Sequence, residues 1–132
     1  MKNFLVLLSL VFLSQGAAAQ FSDLQSVMKE MGPRFKALSM GIADPAKNED
    51  SIRLLGEIGA LVQEGTAFLP PNVINLPALE KRPAELRYVR TMLELRLAAI
   101  DAEEALNAND QAKAQAAVKQ MNTLRIKGHG EF

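Results

Sequence analysis

The sequence has no cysteine, no tryptophan, one histidine and one tyrosine among its 132 residues. Without cysteine the chain can form neither a disulfide nor a thiolate site for zinc or an iron–sulfur cluster. A single histidine excludes sites built from several imidazoles, and without a Gly-x-Ser-x-Gly motif it disfavours serine-hydrolase chemistry. The 15 basic and 15 acidic side chains leave no net charge, so we expect no nucleic-acid partner.

The first segment is typical of a secretory signal peptide. Lys2 precedes an apolar run, Phe4–Leu13, and Ala17–Ala19 supply small residues at a signal peptidase site. The run is about half the ~20 residues needed to span a bilayer. We therefore expect cleavage of residues 1–19 and export of residues 20–132 to the periplasm as one domain, with no membrane attachment. A retained membrane anchor is the alternative.

Apolar residues recur at helical spacing along the first half of this domain. The first helix is predicted over residues 22–42, with Ser22 and Gln25 as a capping box and a bend at Pro33. The second helix must stop at Pro70–Pro71, because the residue before a proline disfavours helix. The predicted buried stripes are Leu24, Val27, Met28, Met31, Phe35, Leu38 and Ile42, then Ile52, Leu55, Ile58, Leu61, Val62 and Phe68.

Two further helices are predicted after a loop that runs from Pro70 to Arg82. Pro83 is suited to the first position of the third helix, which ends near Leu106. A tight connection at residues 107–110 contains the cap of the fourth helix, which ends near Gly128. The predicted buried faces are Leu86, Val89, Leu93, Leu97 and Ile100, then Ala112, Ala116, Val118, Met121 and Leu124.

Four amphipathic helices with no alternating strand pattern predict an all-α fold, an antiparallel up-down-up-down four-helix bundle. In that topology the start of the first helix and the end of the fourth lie at one end of the bundle, which brings Met28 and His129 together. A thioether and an imidazole are a known axial ligand pair for haem iron. Apolar residues expected at the same end could line a porphyrin: Leu24, Phe68, Pro70, Tyr88 and Met92.

Three stretches of the sequence resemble the cytochrome b562 family: Ser22–Leu24 followed by Met28, then Lys113–Ala117, and the ending Arg125–Phe132. The resemblance covers nearly all of the exported domain. It implies a non-covalent haem b, held by a methionine near the start of the first helix and a histidine near the end of the fourth. These positions correspond to Met28 and His129.

The resemblance extends to other residues around the haem. The family's arginine before the histidine matches Arg125, its aromatic residue after the histidine matches Phe132, and Tyr88 and Met92 match positions that pack on the haem. Arg125 either neutralises the end of the fourth helix or faces the haem propionates. The more distantly similar cytochromes c′ attach haem through a Cys-x-x-Cys-His run, whose cysteine positions are Arg125 and Gly128 here, so covalent attachment is excluded.

These residues predict an electron carrier that serves periplasmic redox partners and is not an enzyme. A haem-free binding or structural bundle is the alternative, because Gly128 and Gly130 weaken the helix around His129. A gas-binding haem protein needs an open position at the iron, which conflicts with Met28. Met31, one turn further along the same face, is the rival ligand. With no apolar stripe left for a second interface, we expect a monomer.

Overall fold

The computed structural model describes residues 21–132, and every regular element in this part of the chain is helical. The four long helices are α1 (Leu24–Gly41), α2 (Asn48–Thr66), α3 (Ala78–Asn107) and α4 (Gln111–Glu131). A 3-10 turn, Pro45–Lys47, precedes α2, and a single helical turn, Pro71–Ile74, lies between α2 and α3. None of these helices is long and apolar enough to cross a membrane. The predicted signal peptide lies outside the described residues.

Successive long helices run antiparallel. Tyr88 and Arg96 of α3 donate hydrogen bonds to the carbonyls of Gly65 and Gly59 of α2, so the contacts run in opposite sequence order. Short connections reverse the chain between α1 and α2 and between α3 and α4. The predicted all-α, up-down-up-down bundle is confirmed.

The N-terminal cap of α1 lies one residue after its predicted position. Asp23, not Ser22, is the N-cap, and its carboxylate accepts a hydrogen bond of 2.7 Å from the backbone N–H of Ser26. This hydrogen bond holds the pKa of Asp23 below its ordinary value, and a carboxylate is favoured at the positive end of the helix dipole. Pro33 is exposed on the outer side of α1, and the helix continues through it.

Other helix boundaries also differ from the sequence prediction. α3 begins at Ala78 rather than at Pro83, because Pro77 supplies the break and Pro83 is accommodated at an exposed position inside the helix. α2 ends at Thr66, so Phe68 follows the helix instead of extending its buried stripe. α4 continues past its predicted end near Gly128 and stops at Glu131.

The largest correction concerns the orientation of α3. Its predicted buried face is wrong, since Leu86, Leu93, Leu97 and Ile100 are exposed and only Val89 packs partly against the core. The small residues on the opposite face let α3 approach α2 and α4 closely, which favours burying that face. The expectation that no apolar stripe is left over is therefore also wrong. The buried face of α3 consists of Ala84, Tyr88, Thr91, Met92, Leu95, Ala98, Ala99, Ala102, Ala105 and Leu106.

The remaining helices bury most of the residues predicted for them. In α4, Val118, Met121 and Leu124 are buried as predicted, but Ala114 takes the place of Ala112 and Ala116, which are exposed. The predicted residues Leu24, Met28, Ile52 and Phe68 are only partly buried and pack against the edge of the core. Ile52 lies near the start of α2 at the opposite end, but the other three lie together, so the core is least complete at the end of the bundle where α1 begins.

Candidate functional site

A cavity of about 820 Å³ opens at this end of the bundle. Its walls come from the start of α1, the chain that follows α2, the middle of α3 and the last two turns of α4. The volume lies within the range of about 300–1,000 Å³ that is usual for cofactor sites. Each site residue predicted from the sequence lies in these walls: Leu24, Met28, Phe68, Tyr88, Met92, Arg125 and His129.

The two candidate iron ligands come from two different helices. Met28 is half-buried in the second turn of α1, and His129 is exposed in the last turn of α4. Met31, the rival methionine, also reaches the cavity but is buried in the core of the bundle. Ligation by Met31 would remove its side chain from that packing, whereas the side chain of Met28 packs only against the edge of the core. The difference in burial favours Met28 as the available donor.

Tyr88 forms a fixed part of the cavity wall. Its hydroxyl donates a hydrogen bond of 2.6 Å to the carbonyl oxygen of Gly65, and burial raises the pKa of the phenol to about 12. A Cβ atom at Gly65 would lie 3.0 Å from Cε of Met92 and 3.4 Å from Cγ1 of Val27. The glycine therefore permits the close approach of α1, α2 and α3 below the cavity.

Two contacts hold the C-terminal turn, which we define as residues 128–132, against α3. The rings of Phe132 and Tyr88 pack edge to face, with centroids 5.4 Å apart and an interplanar angle of 81°. Nε of Arg87 lies 3.3 Å from Oε1 of Glu131. The sequence matched Phe132 to an aromatic position of the family but could not pair it with Tyr88, because that pairing depends on the register between α3 and α4. Both contacts restrain the turn that carries the histidine.

Arg125 points inward rather than along the end of α4. Its guanidinium carbon lies 5.5 Å from the centroid of the Phe35 ring, an arrangement suited to a cation–π interaction. Its Nε atom is buried and has no hydrogen-bond partner within the described part of the chain. An unpaired buried donor of this kind costs free energy, so a carboxylate in the cavity would be a favourable partner for it.

Sequence reasoning missed part of the cavity wall on α3. Thr91 and Leu95 line the cavity together with Tyr88 and Met92, and these four residues share one face of the helix at helical spacing. They were missed because the prediction placed the buried face of α3 on the leucines of the other side. Starting the periodicity from Tyr88 instead would have found them. Other wall residues that were not predicted include Leu69, Leu124 and Gly128, and Met31 was predicted only as the rival ligand.

Comparison with protein-family models matches residues 23–132 to the model for cytochrome b562. The chain belongs to the cytochrome b562 family. Proteins of this family bind haem b, and the family is one of periplasmic electron carriers rather than enzymes. Neither the curated proteins nor the solved structures contain a significant match to the chain.

The residues around the cavity fit the haem b of cytochromes b562. The walls offer a thioether and an imidazole on two helices, largely apolar surfaces, and an unpaired arginine nitrogen suited to a haem carboxylate. The sequence has no cysteine, so the thioether links of covalent haem cannot form. Within residues 21–132, no three His, Cys, Asp or Glu side chains come together as a metal-binding group.

Proposed function

We propose that this protein is a periplasmic electron carrier that holds one non-covalent haem b between Met28 and His129. The observation that carries the proposal is that these two side chains, from α1 and α4, line the same largely apolar cavity. Membership of the cytochrome b562 family supports the electron-carrier role and the periplasmic location. The signal-like pattern of residues 1–19 supports export.

Bound haem would supply reversible one-electron chemistry at its iron, and the chain would tune that chemistry. The thioether of Met28 is a soft ligand that favours the reduced iron and raises its potential. The apolar walls, among them Leu24, Phe68 and Met92, would exclude water from the cavity. The guanidinium of Arg125 would neutralise a propionate. No side chain is assigned to turning over a substrate.

Haem titration of the purified protein tests the binding step. We expect stoichiometric uptake at micromolar concentrations, with a sharp Soret band and split visible bands after reduction. A folded helical protein that takes up no haem would contradict the proposal and indicate a haem-free binding or structural bundle.

Substitutions of the two proposed ligands test the assignment. Each methionine is replaced by leucine, which removes the sulfur and keeps a similar volume. We expect Met28→Leu to convert the spectrum to a five-coordinate type and His129→Ala to weaken haem retention strongly. Met121→Leu is the matched control, because Met121 is fully buried in α4 away from the cavity, and its spectrum should not change. If Met28→Leu leaves the spectrum unchanged while Met31→Leu alters it, the assignment to Met28 is wrong.

A further inference from the structure

An apolar stripe runs along the outer side of α3. It consists of Leu79, Leu86, Leu93, Leu97 and Ile100, whose exposed fractions are 93%, 53%, 53%, 59% and 42%. Leu79, Leu86, Leu93 and Ile100 recur every seven residues. This spacing keeps them on one side of the helix, with a drift of only about 20° per repeat. Large aliphatic side chains aligned in this way form a continuous surface that favours burial against a partner.

Exposed charges of opposite sign lie at the two ends of this α3 stripe. Arg82 and Arg90 lie beside its first half, and Asp101 and Glu104 lie beside its second half. Each is one helical turn from a stripe residue, so it shares the same surface. Arg82 forms an exposed ion pair with Glu85 at 3.2 Å, whereas no ion pair among residues 21–132 involves Arg90, Asp101 or Glu104. The stripe is therefore basic at one end, acidic at the other and apolar between them.

We propose that the α3 stripe binds a second copy of this chain, with the two α3 helices antiparallel across a two-fold axis near Leu93. A surface with a basic and an acidic end is complementary to itself only when one copy is reversed. In this arrangement, two residues face each other when they lie the same number of positions before and after Leu93. Leu86 lies opposite Ile100, Val89 lies opposite Leu97, and Arg82 lies opposite Glu104 of the second copy.

The surface beside the centre of the stripe also suits a second copy. A groove of about 550 Å³ lies between α2 and α3, bordered by Leu93 and Arg96 of α3 and by Val62, Thr66 and Ala67. It offers a place for an aliphatic side chain of the second copy. Met92 borders this groove as well as the larger cavity, but Tyr88 and Leu95 line only the larger cavity, on the side of α3 away from the stripe, so pairing leaves the larger cavity accessible.

The dimensions of the stripe predict a weak dimer. From Leu79 to Asn107 the helix is about 43 Å long, and a strip about 10 Å wide covers roughly 400 Å² per copy. This is about half of the ~800 Å² per partner found in a standard interface. We therefore expect a concentration-dependent dimer with a Kd of about 1–100 μM, replacing the monomer expected from the sequence.

Sedimentation equilibrium of the purified protein, with and without haem, tests the proposal. We expect dimers in both samples, and we expect Leu93→Glu, which places two carboxylates at the two-fold axis, to weaken association at least tenfold. The matched control is Met40→Glu, because Met40 is also exposed (72%) but lies on α1. A monomer throughout the micromolar range, or a dimer insensitive to Leu93→Glu, would overturn the proposal. Because dimerisation does not require haem, failure here is distinguishable from failure of the electron-carrier proposal.

A charge-reversal cycle tests the antiparallel register. Arg82→Glu and Glu104→Arg should each weaken the dimer by about tenfold, because each places like charges opposite one another twice in the symmetric pair. The double variant should recover to within about threefold of the original Kd. A double variant as weak as the single variants would overturn the register. If the monomer instead binds phosphatidylcholine vesicles and Leu93→Glu abolishes that binding, the stripe is a membrane contact and the proposal is wrong.

Discussion

Phe132→Ala should loosen the C-terminal turn and thereby weaken haem binding. Gly128 and Gly130 flank His129 in this turn, and each glycine costs up to about 1 kcal/mol relative to alanine in a helix. The edge-to-face contact of Phe132 with Tyr88 offsets part of this cost. Without the phenyl ring, the turn that carries the imidazole should fray in the unbound protein, and haem binding would then have to order it.

The expected magnitude follows from the contacts of the turn. An aromatic pair contributes about 0.5–1.5 kcal/mol beyond the burial of its surface. The pair of Arg87 and Glu131 has both side chains substantially exposed, so it contributes less than the aromatic contact. Losing the Phe132 ring should therefore destabilise the ordered turn by about 1–2 kcal/mol. This free energy corresponds to a haem affinity about 5- to 30-fold lower.

Gly130→Ala should act in the opposite direction. A Cβ atom at this position meets no other atom within 4 Å, and Gly130 does not line the cavity. The substitution should therefore stabilise the turn by up to about 1 kcal/mol and raise haem affinity by up to about fivefold. Combined with Phe132→Ala, it should recover part of the lost affinity even though the direct contact of the phenyl ring with the cavity is still missing.

Two assays separate ordering of the turn from loss of a wall contact. Hydrogen exchange of the backbone amides in residues 128–132 is measured in the haem-free protein, and haem affinity is measured by competition with another haem-binding protein. We expect Phe132→Ala to speed exchange in the turn and lower haem affinity. We expect Gly130→Ala to slow exchange and raise haem affinity. Unchanged exchange in both variants would refute the reasoning, whatever happens to haem affinity.

Three further predictions concern the rest of the bundle. Because burial raises the pKa of Tyr88 from 10.0 to about 12, the unfolding free energy should fall between these pH values by up to about 3 kcal/mol relative to Tyr88→Phe, as measured by denaturation across pH. Asp23→Ala should lower the midpoint of urea denaturation and Ser22→Ala should leave it almost unchanged, since Asp23 is the cap. Met31→Ala should destabilise the haem-free protein by roughly 2–5 kcal/mol, and Met28→Ala by less, because only Met31 is fully in the core.

The topology and the end of the bundle that carries the cavity were predictable from the sequence because they depend only on the number of helices and the length of their connections. Four periodic segments and short connections fix which helix ends meet, and an error of several residues in a boundary does not change this. The start of α3 moved from Pro83 to Ala78 without moving Tyr88 away from the cavity. The N-cap of α1 could not be fixed as well, because Ser22 and Asp23 are both good caps and only the hydrogen bond to Ser26 distinguishes them.

The buried face of α3 was not predictable from side-chain hydrophobicity. Leucines lie on both sides of this helix, so its apolar residues do not define one face. The deciding factor is close packing, since Ala98, Ala99, Ala102 and Ala105 let α3 lie against two neighbouring helices at once. A search for small residues at helical spacing would have favoured the correct face, which also contains the cavity residues of α3.

The position of the cavity follows from where α1 and α4 stop touching. Toward the closed end of the bundle, Gln111 donates a hydrogen bond to the carbonyl of Ile42, and Phe35 packs against Arg125. Beyond these contacts, Met28 and His129 line the cavity rather than bury one another. A haem bound there would replace the missing packing between α1 and α4. Under the proposed function, the opening in the core is therefore the part of the bundle that haem would complete.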